Sequence, residues 1–102
     1  MPIKPKPDDI LRPSKDFLGL EVDGVFVIAS LIHGKEYKQD EVFELDDISK
    51  RIWQLLDGRR SLKEIAGMLS SDFGISHNEL QEDILELTEK FLEKDLLIKA
   101  IE

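Results

Sequence analysis

Residues able to perform covalent or acid–base chemistry are few in this chain and stand apart from one another. Cysteine is absent, which removes thiolate nucleophiles, disulfides and the common cysteine-containing zinc sites. The two histidines, His33 and His77, belong to neither an H-E-x-x-H nor an H-x-x-E-H pattern. Glycine-rich phosphate-binding motifs are missing too, because the six glycines fall singly along the chain, four of them at predicted turns and helix ends. The sequence therefore predicts a protein that is not an enzyme and that holds no metal and no cofactor.

The charged residues are mostly acidic, with 22 Asp and Glu against 14 Lys and Arg and a formal net charge of −8. Such a surface repels phosphate, which argues against nucleic acid and anionic membranes as partners. Between Glu79 and Asp95, seven acids and two lysines follow the spacing of the solvent-facing side of an amphipathic helix. No apolar run approaches the roughly 18 residues that a membrane-spanning helix requires. The lack of cysteine is consistent with a cytoplasmic protein.

Main-chain amides and carbonyls are the remaining groups that could bind a partner, and residues 42–45 are well placed to offer them. In this short run Phe43 and Leu45 lie on one face of an extended segment, and Val42 and Glu44 lie on the other. At the edge of a sheet, such a segment can accept an extended peptide as a further strand. The alternative is that the strand and the helices pack together and leave no groove between them.

The strand at residues 42–45 is predicted to complete a three-stranded antiparallel meander. Residues 17–22 alternate weakly, and Asp23-Gly24 supplies the positive φ angles that a type I′ hairpin turn requires. Residues 25–32 are apolar at nearly every position, which predicts a middle strand buried on both faces. Polar residues 35–41 then predict a loop or a frayed strand extension before the edge strand begins.

Three amphipathic helices are predicted after the meander. Asp46 is suited to cap the first helix, and Gly58 is suited to end it in the left-handed conformation. The apolar stripe of this helix contains Ile48, Ile52, Leu55 and Leu56. The predicted fold class is therefore α+β, winged helix-turn-helix-like, with a three-stranded antiparallel β-meander followed by three α-helices.

Two capping boxes, Ser61-x-x-Glu64 and Ser76-x-x-Glu79, mark the starts of the second and third helices. The second is expected to run to about residue 72, and the third from about residue 77 to about residue 94. Their predicted apolar stripes are Leu62, Ile65, Ala66, Leu69 and Phe73, and then Leu80, Ile84, Leu87 and Phe91. Winged helices often place their last helix in DNA, so DNA binding is an alternative that the acidic charge of this helix disfavours.

The N-terminal residues are predicted to form an extended arm. All four prolines fall within the first 13 residues, where they disfavour a helix or a central strand. We therefore divide the chain into an arm at residues 1–16 and a single folded domain at residues 17–102. Two interpretations of the arm stay open. It is a loosely attached tail, or it lays Ile3, Ile10 and Leu11 on a second subunit to form a homodimer.

The stretch VFELDDISKRIWQLLDGRRSLKEIAGML, continued by DILELTEKFLEKDLL, resembles the PqqD family. The resemblance covers about residues 18–98 and rests on several short features in a fixed order. These features are Phe43, Glu44, Leu45 and Asp46; then Ile52, Trp53, Leu56, Asp57 and Gly58; then Ser61, Glu64 and Ile65; and finally Asp83, Ile84, Leu85, Leu96 and Leu97.

The resemblance implies a non-catalytic protein that recognises ribosomally synthesised precursor peptides. Members of the family bind the leader segment of the precursor as an added strand and present it to a modifying enzyme. That enzyme is often a radical SAM protein, and in other systems a lasso-peptide protease or a cyclodehydratase. Carried onto this sequence, the implied leader-binding residues are Val42, Phe43, Glu44, Leu45, Asp83, Leu87, Lys90 and Phe91. A general protein-interaction module is the alternative function.

Two departures from the family pattern concern the predicted groove. Asp95 stands where the family usually has glycine, so we expect the last helix to end differently and to move the groove wall. The loop at residues 34–41 is longer than the usual turn, which leaves the register of the edge strand open. A slip of one residue would exchange the faces of Phe43 and Glu44.

Overall fold

The computed structural model describes residues 4–30 and 43–100. Antiparallel strands come first and three helices follow, so the predicted α+β fold class is confirmed. A short strand at each end of the described chain adds to the predicted elements. In chain order the elements are β1 (Leu11–Pro13), β2 (Phe17–Val22), β3 (Val25–Ser30), β4 (Phe43–Leu45), α1 (Asp47–Leu55), α2 (Leu62–Phe73), α3 (His77–Glu93) and β5 (Leu97–Lys99).

The three-stranded sheet has the order β2-β3-β4 and is antiparallel throughout. Its first turn has the predicted positive φ angles, 52° at Asp23 and 82° at Gly24. In the second pairing, Ile28 lies opposite Phe43, which puts Phe43 on the face that also carries the buried Ile28. Leu45 lies opposite Phe26, so Phe43 and Leu45 share the core face, as the alternation predicts. The described residues do not include residues 31–32, His33, the predicted loop or Val42.

The two faces of β3 differ, so the prediction of a strand buried on both faces is wrong. Phe26 and Ile28 are buried in the core, whereas Val25 on the opposite face is 40% exposed. Leu18 on the neighbouring strand shares that opposite face and is 49% exposed. The physical reason is that, among the described residues, the helices pack against the side of the sheet that carries Phe26 and Ile28.

The core is formed by apolar side chains from all three helices and from the sheet face just described. Trp53 of α1 and Phe91 of α3 meet edge to face, with ring centroids 5.6 Å apart. Thr88 is a buried polar residue, and its hydroxyl donates to the Ile84 carbonyl at 2.7 Å. Phe73 was predicted on the apolar stripe of α2, but it is 36% exposed because it is the last residue of that helix.

The helix starts follow the predicted capping chemistry. The Asp46 carboxylate accepts a hydrogen bond from the Ser49 amide at 2.8 Å. Ser61 and Glu64 form the full reciprocal capping box at the start of α2. At α3 the Ser76 hydroxyl accepts from the Glu79 amide at 3.2 Å, but the return contact from the Glu79 side chain does not form within the described residues, so only half of the predicted box is present. These local contacts fix where each helix begins and hence which residues reach the sheet.

The end of α3 corrects one expectation from the sequence. Asp95 adopts the left-handed conformation, with a φ of 64°. The Asp95 amide donates to the Leu92 carbonyl, and the Leu96 amide donates to the Phe91 carbonyl at 2.9 Å. This is the Schellman arrangement that glycine usually supports, at a cost of about 1–2 kcal/mol for a residue with a side chain. The helix therefore ends with the hydrogen bonds that a glycine at this position would support.

Residues 10–13 of the arm are part of the folded unit. β1 pairs antiparallel with β5, and Leu11 is fully buried in the core. The Leu11 carbonyl also accepts from the Gly58 amide, where φ is 81°. The interpretation of these residues as a loosely attached tail is wrong, because main-chain pairing and burial hold them in place. Leu11 is also not available to a second subunit, whereas Ile3 lies outside the described residues.

Candidate functional site

A groove of about 340 Å³ lies between the edge strand β4 and the helix α3. It brings together six of the eight residues singled out from the sequence, and it adds Lys94. We call it the edge groove, and its lining residues are Phe43, Glu44, Leu45, Leu87, Lys90, Phe91 and Lys94. Val42 falls outside the described residues, and Asp83 lies in a neighbouring pocket.

The edge groove reaches the free edge of the sheet. Within the described ranges β4 is an edge strand of the three-stranded sheet and is paired with β3 alone. Phe43 and Leu45 point to the core face and Glu44 to the other, yet all three line the same opening. Because side chains from both faces border it, the opening lies along the side of the strand that is not paired with β3. Main-chain groups on that side can accept or donate hydrogen bonds to an added strand.

The apolar floor of the edge groove is rigidly supported. Phe91 is only 4% exposed and packs edge to face on Trp53, so it is mainly a core residue whose edge reaches the groove. Phe43 and Leu87 are partly buried against the same core and supply the more accessible apolar surface. The predicted floor residues therefore differ in role, since Phe91 supports the surface that Phe43 and Leu87 present.

Two lysines stand at the C-terminal end of the helical wall. Lys90 and Lys94 are both exposed, and the Lys94 ammonium lies 5.8 Å from the centroid of the Phe43 ring. That contact is within the range of a cation–π interaction. Lys94 was not singled out from the sequence. The signal that could have identified it is its spacing of four residues from Lys90, which puts both on one helix face.

A second pocket of about 240 Å³ continues the edge groove towards the start of α1. It shares Leu87 and Lys90 with the edge groove, and it contains the predicted residue Asp83. We call it the acidic pocket after its carboxylates, and its lining residues are Asp46, Ile48, Ser49, Ile52, Asp83, Glu86, Leu87 and Lys90. The two together form one trough along α3.

The other edge of the sheet borders a cleft of its own. This β2 cleft has a volume of about 430 Å³ and lies between β2 and α1. Gly19 in β2 packs closely on aromatic rings, since an added Cβ would lie 2.6 Å from Phe26 Cζ and 2.7 Å from Trp53 Nε1. No pattern in the sequence indicates this cleft, because it depends on how α1 packs beneath β2.

The part of the chain that the structure describes contains neither a candidate metal-binding cluster nor a candidate membrane-spanning helix. Within residues 4–30 and 43–100, no group of three or more His, Asp or Glu side chains is arranged to hold a metal ion. None of the helices in those ranges is long and apolar enough to cross a lipid bilayer.

Comparison with protein families gives a match over most of the chain. The sequence model of the family described as Coenzyme PQQ synthesis protein D (PqqD) matches residues 28–97. This range contains β4, all three helices and the whole trough. It begins after β2, so the β2 strand lies outside the matched range.

Curated relatives match a shorter part of the chain. A protein named PqqA binding protein from Xanthomonas campestris pv. campestris (strain B100) is 41% identical over 58 residues, which are 57% of this chain and 63% of the relative. The protein of the same name from Xanthomonas oryzae pv. oryzae (strain PXO99A) is 38% identical over the same lengths. The chain therefore spans about 63% of the length of these relatives.

Two solved structures share the fold. A lasso peptide synthetase B1 complexed with the leader peptide superimposes with a TM-score of 0.71 at 19% identity, covering 87% of this chain and 98% of that one. TbiB1 in complex with the TbiA(beta) leader peptide gives a TM-score of 0.67 at 22% identity, covering 84% and 93%. At these identities the likeness establishes the arrangement of strands and helices.

Proposed function

The chain belongs to the PqqD family, and from this premise we propose that it is a non-catalytic recognition protein for a ribosomally made precursor peptide. The leader segment of the precursor adds to β4 as a further strand and lies against α3. The observation that carries this proposal is the open edge of β4 beside an apolar groove. Bound in this way, the leader holds the rest of the precursor where a modifying enzyme can act on it.

The energetics of strand addition suit a carrier that must also release its peptide. Each main-chain hydrogen bond contributes about 0.5–1.5 kcal/mol net, and each buried apolar anchor contributes about 1.5–3 kcal/mol. Ordering each peptide residue costs about 1–2 kcal/mol. A short strand with one or two anchors therefore binds with a dissociation constant of roughly micromolar order.

The names of the similar proteins support this function. The curated relatives are named for binding PqqA, and both structural neighbours were solved with a leader peptide bound. We assign the leader backbone to β4 and its apolar anchors to Phe43 and Leu87, with Phe91 beneath them. Val42 would extend the pairing by one residue, Glu44 would flank the added strand, and Lys90 and Asp83 would meet charged leader residues.

The proposal also names the class of the partner enzyme and the cellular compartment. We propose that the enzyme is a radical SAM protein, as is common in this family, and that the encounter takes place in the cytoplasm. A homodimer formed through the arm stays a prediction that rests on Ile3 and Ile10, because Leu11 is buried within the chain. DNA binding through a winged-helix-like surface is not favoured, because α3 carries a large excess of acids.

Amide chemical-shift mapping tests the function directly. The ¹⁵N-labelled full chain is titrated with synthetic PqqA and with lasso-precursor leader peptides, and scrambled peptides of the same composition serve as controls. We expect saturable shifts concentrated at residues 43–45 and 83–94, because those residues line the trough. Shifts confined to β2, to the arm or to the turn at Arg59 and Arg60 would contradict the proposal, as would equal shifts from the scrambled peptides.

A further inference from the structure

The positive charges of the trough lie towards the edge groove, where Lys94 lines that groove alone and Lys90 stands at its junction with the acidic pocket. The segment from residue 79 to residue 95 carries seven acids and two lysines, yet both lysines line the edge groove. Lys90 and Lys94 are four residues apart, so they lie about 6 Å apart along the helix axis. The contact of the Lys94 ammonium with the Phe43 ring, at 5.8 Å, holds one of these charges over the groove floor.

Neither lysine is neutralised by an ion pair within residues 4–30 and 43–100. The ion pairs in these ranges join Lys50 with Glu21, Arg51 with Asp72, Arg60 with Asp57 and Lys99 with Asp9. The basic end of the trough is thus open to an anionic group from a bound molecule. The protein as a whole has a net charge of −8, so the positive charge at this end of the trough is opposite in sign to that of the whole chain.

The opposite end of the trough is negative. The acidic pocket contains Asp46, Asp83 and Glu86, and the Asp46 carboxylate is held in place by the Ser49 amide. β4 runs from Phe43 at the basic end towards Asp46 at the acidic end, while α3 runs in the opposite sense. A strand that adds to β4 therefore lies along the direction in which the charge changes sign.

The distances match a short extended peptide. Lys90 follows Asp83 by seven residues and Lys94 follows it by eleven, which corresponds to about 10 and 16 Å along α3. An extended peptide advances about 3.3 Å per residue. Peptide side chains opposite the two ends of the trough are therefore separated by roughly three to five positions.

We propose that the trough selects its peptide by the position of an acidic side chain relative to the apolar anchor. This selectivity rests on the proposed peptide-binding function and adds to it. An acid on one side of the anchor lies opposite Lys90 and Lys94 and is attracted. The same acid on the other side of the anchor lies opposite Asp83 and Glu86 and is repelled. Lys94 is thereby a specificity-determining residue beside Lys90, and the ligand is an apolar segment with an acid on one flank only.

A peptide-display selection on the full chain tests the inference, and it does not require the natural leader to be identified. The probe is a library of random 12-residue peptides, and the readout is the frequency of Asp and Glu at each position relative to the enriched apolar anchor. Exposed charge pairs change affinity by about 1.4- to 5-fold each. We expect acids to be enriched about threefold or more on one side of the anchor and depleted on the other.

Matched variants identify the residues responsible. In the double variant Lys90→Gln, Lys94→Gln, the enrichment of acids should disappear while the apolar anchor is still selected. The double variant Lys15→Gln, Lys63→Gln makes the same change in net charge at exposed lysines outside the trough and should select the same peptides as the unaltered protein.

The outcomes separate this inference from the function on which it rests. An anchor selected with acids spread evenly on both sides would overturn the charge selectivity and leave peptide binding intact. Persistence of the enrichment in the Lys90→Gln, Lys94→Gln variant would also overturn it, because another group would then be responsible. Failure to enrich any peptide would overturn the proposed function and this inference together.

Discussion

The two edges of the three-stranded sheet offer different surfaces to a partner. β2 is six residues long and borders the larger cleft, whereas β4 is three residues long and borders the smaller groove. Strand length and cleft volume alone would favour β2 as the edge that binds a peptide. The edge groove, however, has a helical wall with accessible apolar side chains and two lysines, while α1 packs Trp53 against Gly19 beneath β2. We therefore propose β4 as the binding edge, because the helix beside it leaves apolar side chains accessible.

The match to the family separates the two edges in the same way. The matched residues, 28–97, include β4 and α3 and exclude β2. The range that matches the family therefore contains the strand and helix that form the trough, together with α1 and α2. β2 completes the sheet and covers Trp53, which is a structural role.

The largest expected effect is on peptide binding, and it distinguishes the two edges directly. Leu87→Asp places a charge on the floor of the edge groove and removes an apolar contact worth about 2–3 kcal/mol, so binding should weaken about 30- to 160-fold. Leu18→Asp makes the same substitution beside the β2 cleft and should change affinity less than twofold. Fluorescence anisotropy with a labelled leader peptide measures both, and circular dichroism confirms that both variants fold. A greater loss for Leu18→Asp would reverse the assignment of the two edges.

The next effect concerns stability and tests the structural role of β2. Gly19→Ala would place a Cβ less than 3 Å from the rings of Phe26 and Trp53. The free energy of unfolding, measured in urea, should therefore fall by about 1–3 kcal/mol. The folded variant should still bind peptide normally at β4. Gly67→Ala is the control, because its Cβ would meet no atom closer than 3.8 Å. This substitution should stabilise α2 by about 0.5–1 kcal/mol. Unchanged stability of Gly19→Ala would show that the packing beneath β2 is loose.

The smallest effect concerns the end of the helix that walls the edge groove. Asp95 has a φ of 64°, a left-handed conformation that is strained for a residue with a side chain and not for glycine. Asp95→Gly should therefore stabilise the protein by about 1 kcal/mol and raise the melting temperature by about 4–8 °C. Asp95→Ala should lower it, because alanine tolerates this conformation less well than aspartate. Differential scanning calorimetry measures both shifts. Equal melting temperatures for the two variants would mean that the left-handed residue carries no strain.

Local chemistry explains what the sequence predicted correctly. The Asp23-Gly24 turn, the Asp46 cap and the Ser61 capping box each depend on a few neighbouring residues, so their patterns are sufficient. The alternation of Phe43, Glu44 and Leu45 likewise predicts the faces of β4. These features bring six of the candidate residues to one groove.

Long-range contacts explain what the sequence did not predict. The pairing of β1 with β5 joins segments about 86 residues apart in the chain, and the prolines in the arm favoured an unpaired interpretation. The exposed face of β3 reflects the absence of a helix on that side within the described residues, which an apolar run alone does not reveal. Lys94 was missed because its contact with Phe43 depends on the packing of α3 against the sheet.

The pairing of β1 with β5 has an architectural consequence. The Ala100 amide donates to the Ile10 carbonyl at 2.9 Å, so the first and last strands of the described residues lie side by side. A domain with adjacent entry and exit points can be inserted into a surface loop of a larger protein without forcing the ends of that loop apart. This fold is therefore compatible with modular insertion into a host polypeptide.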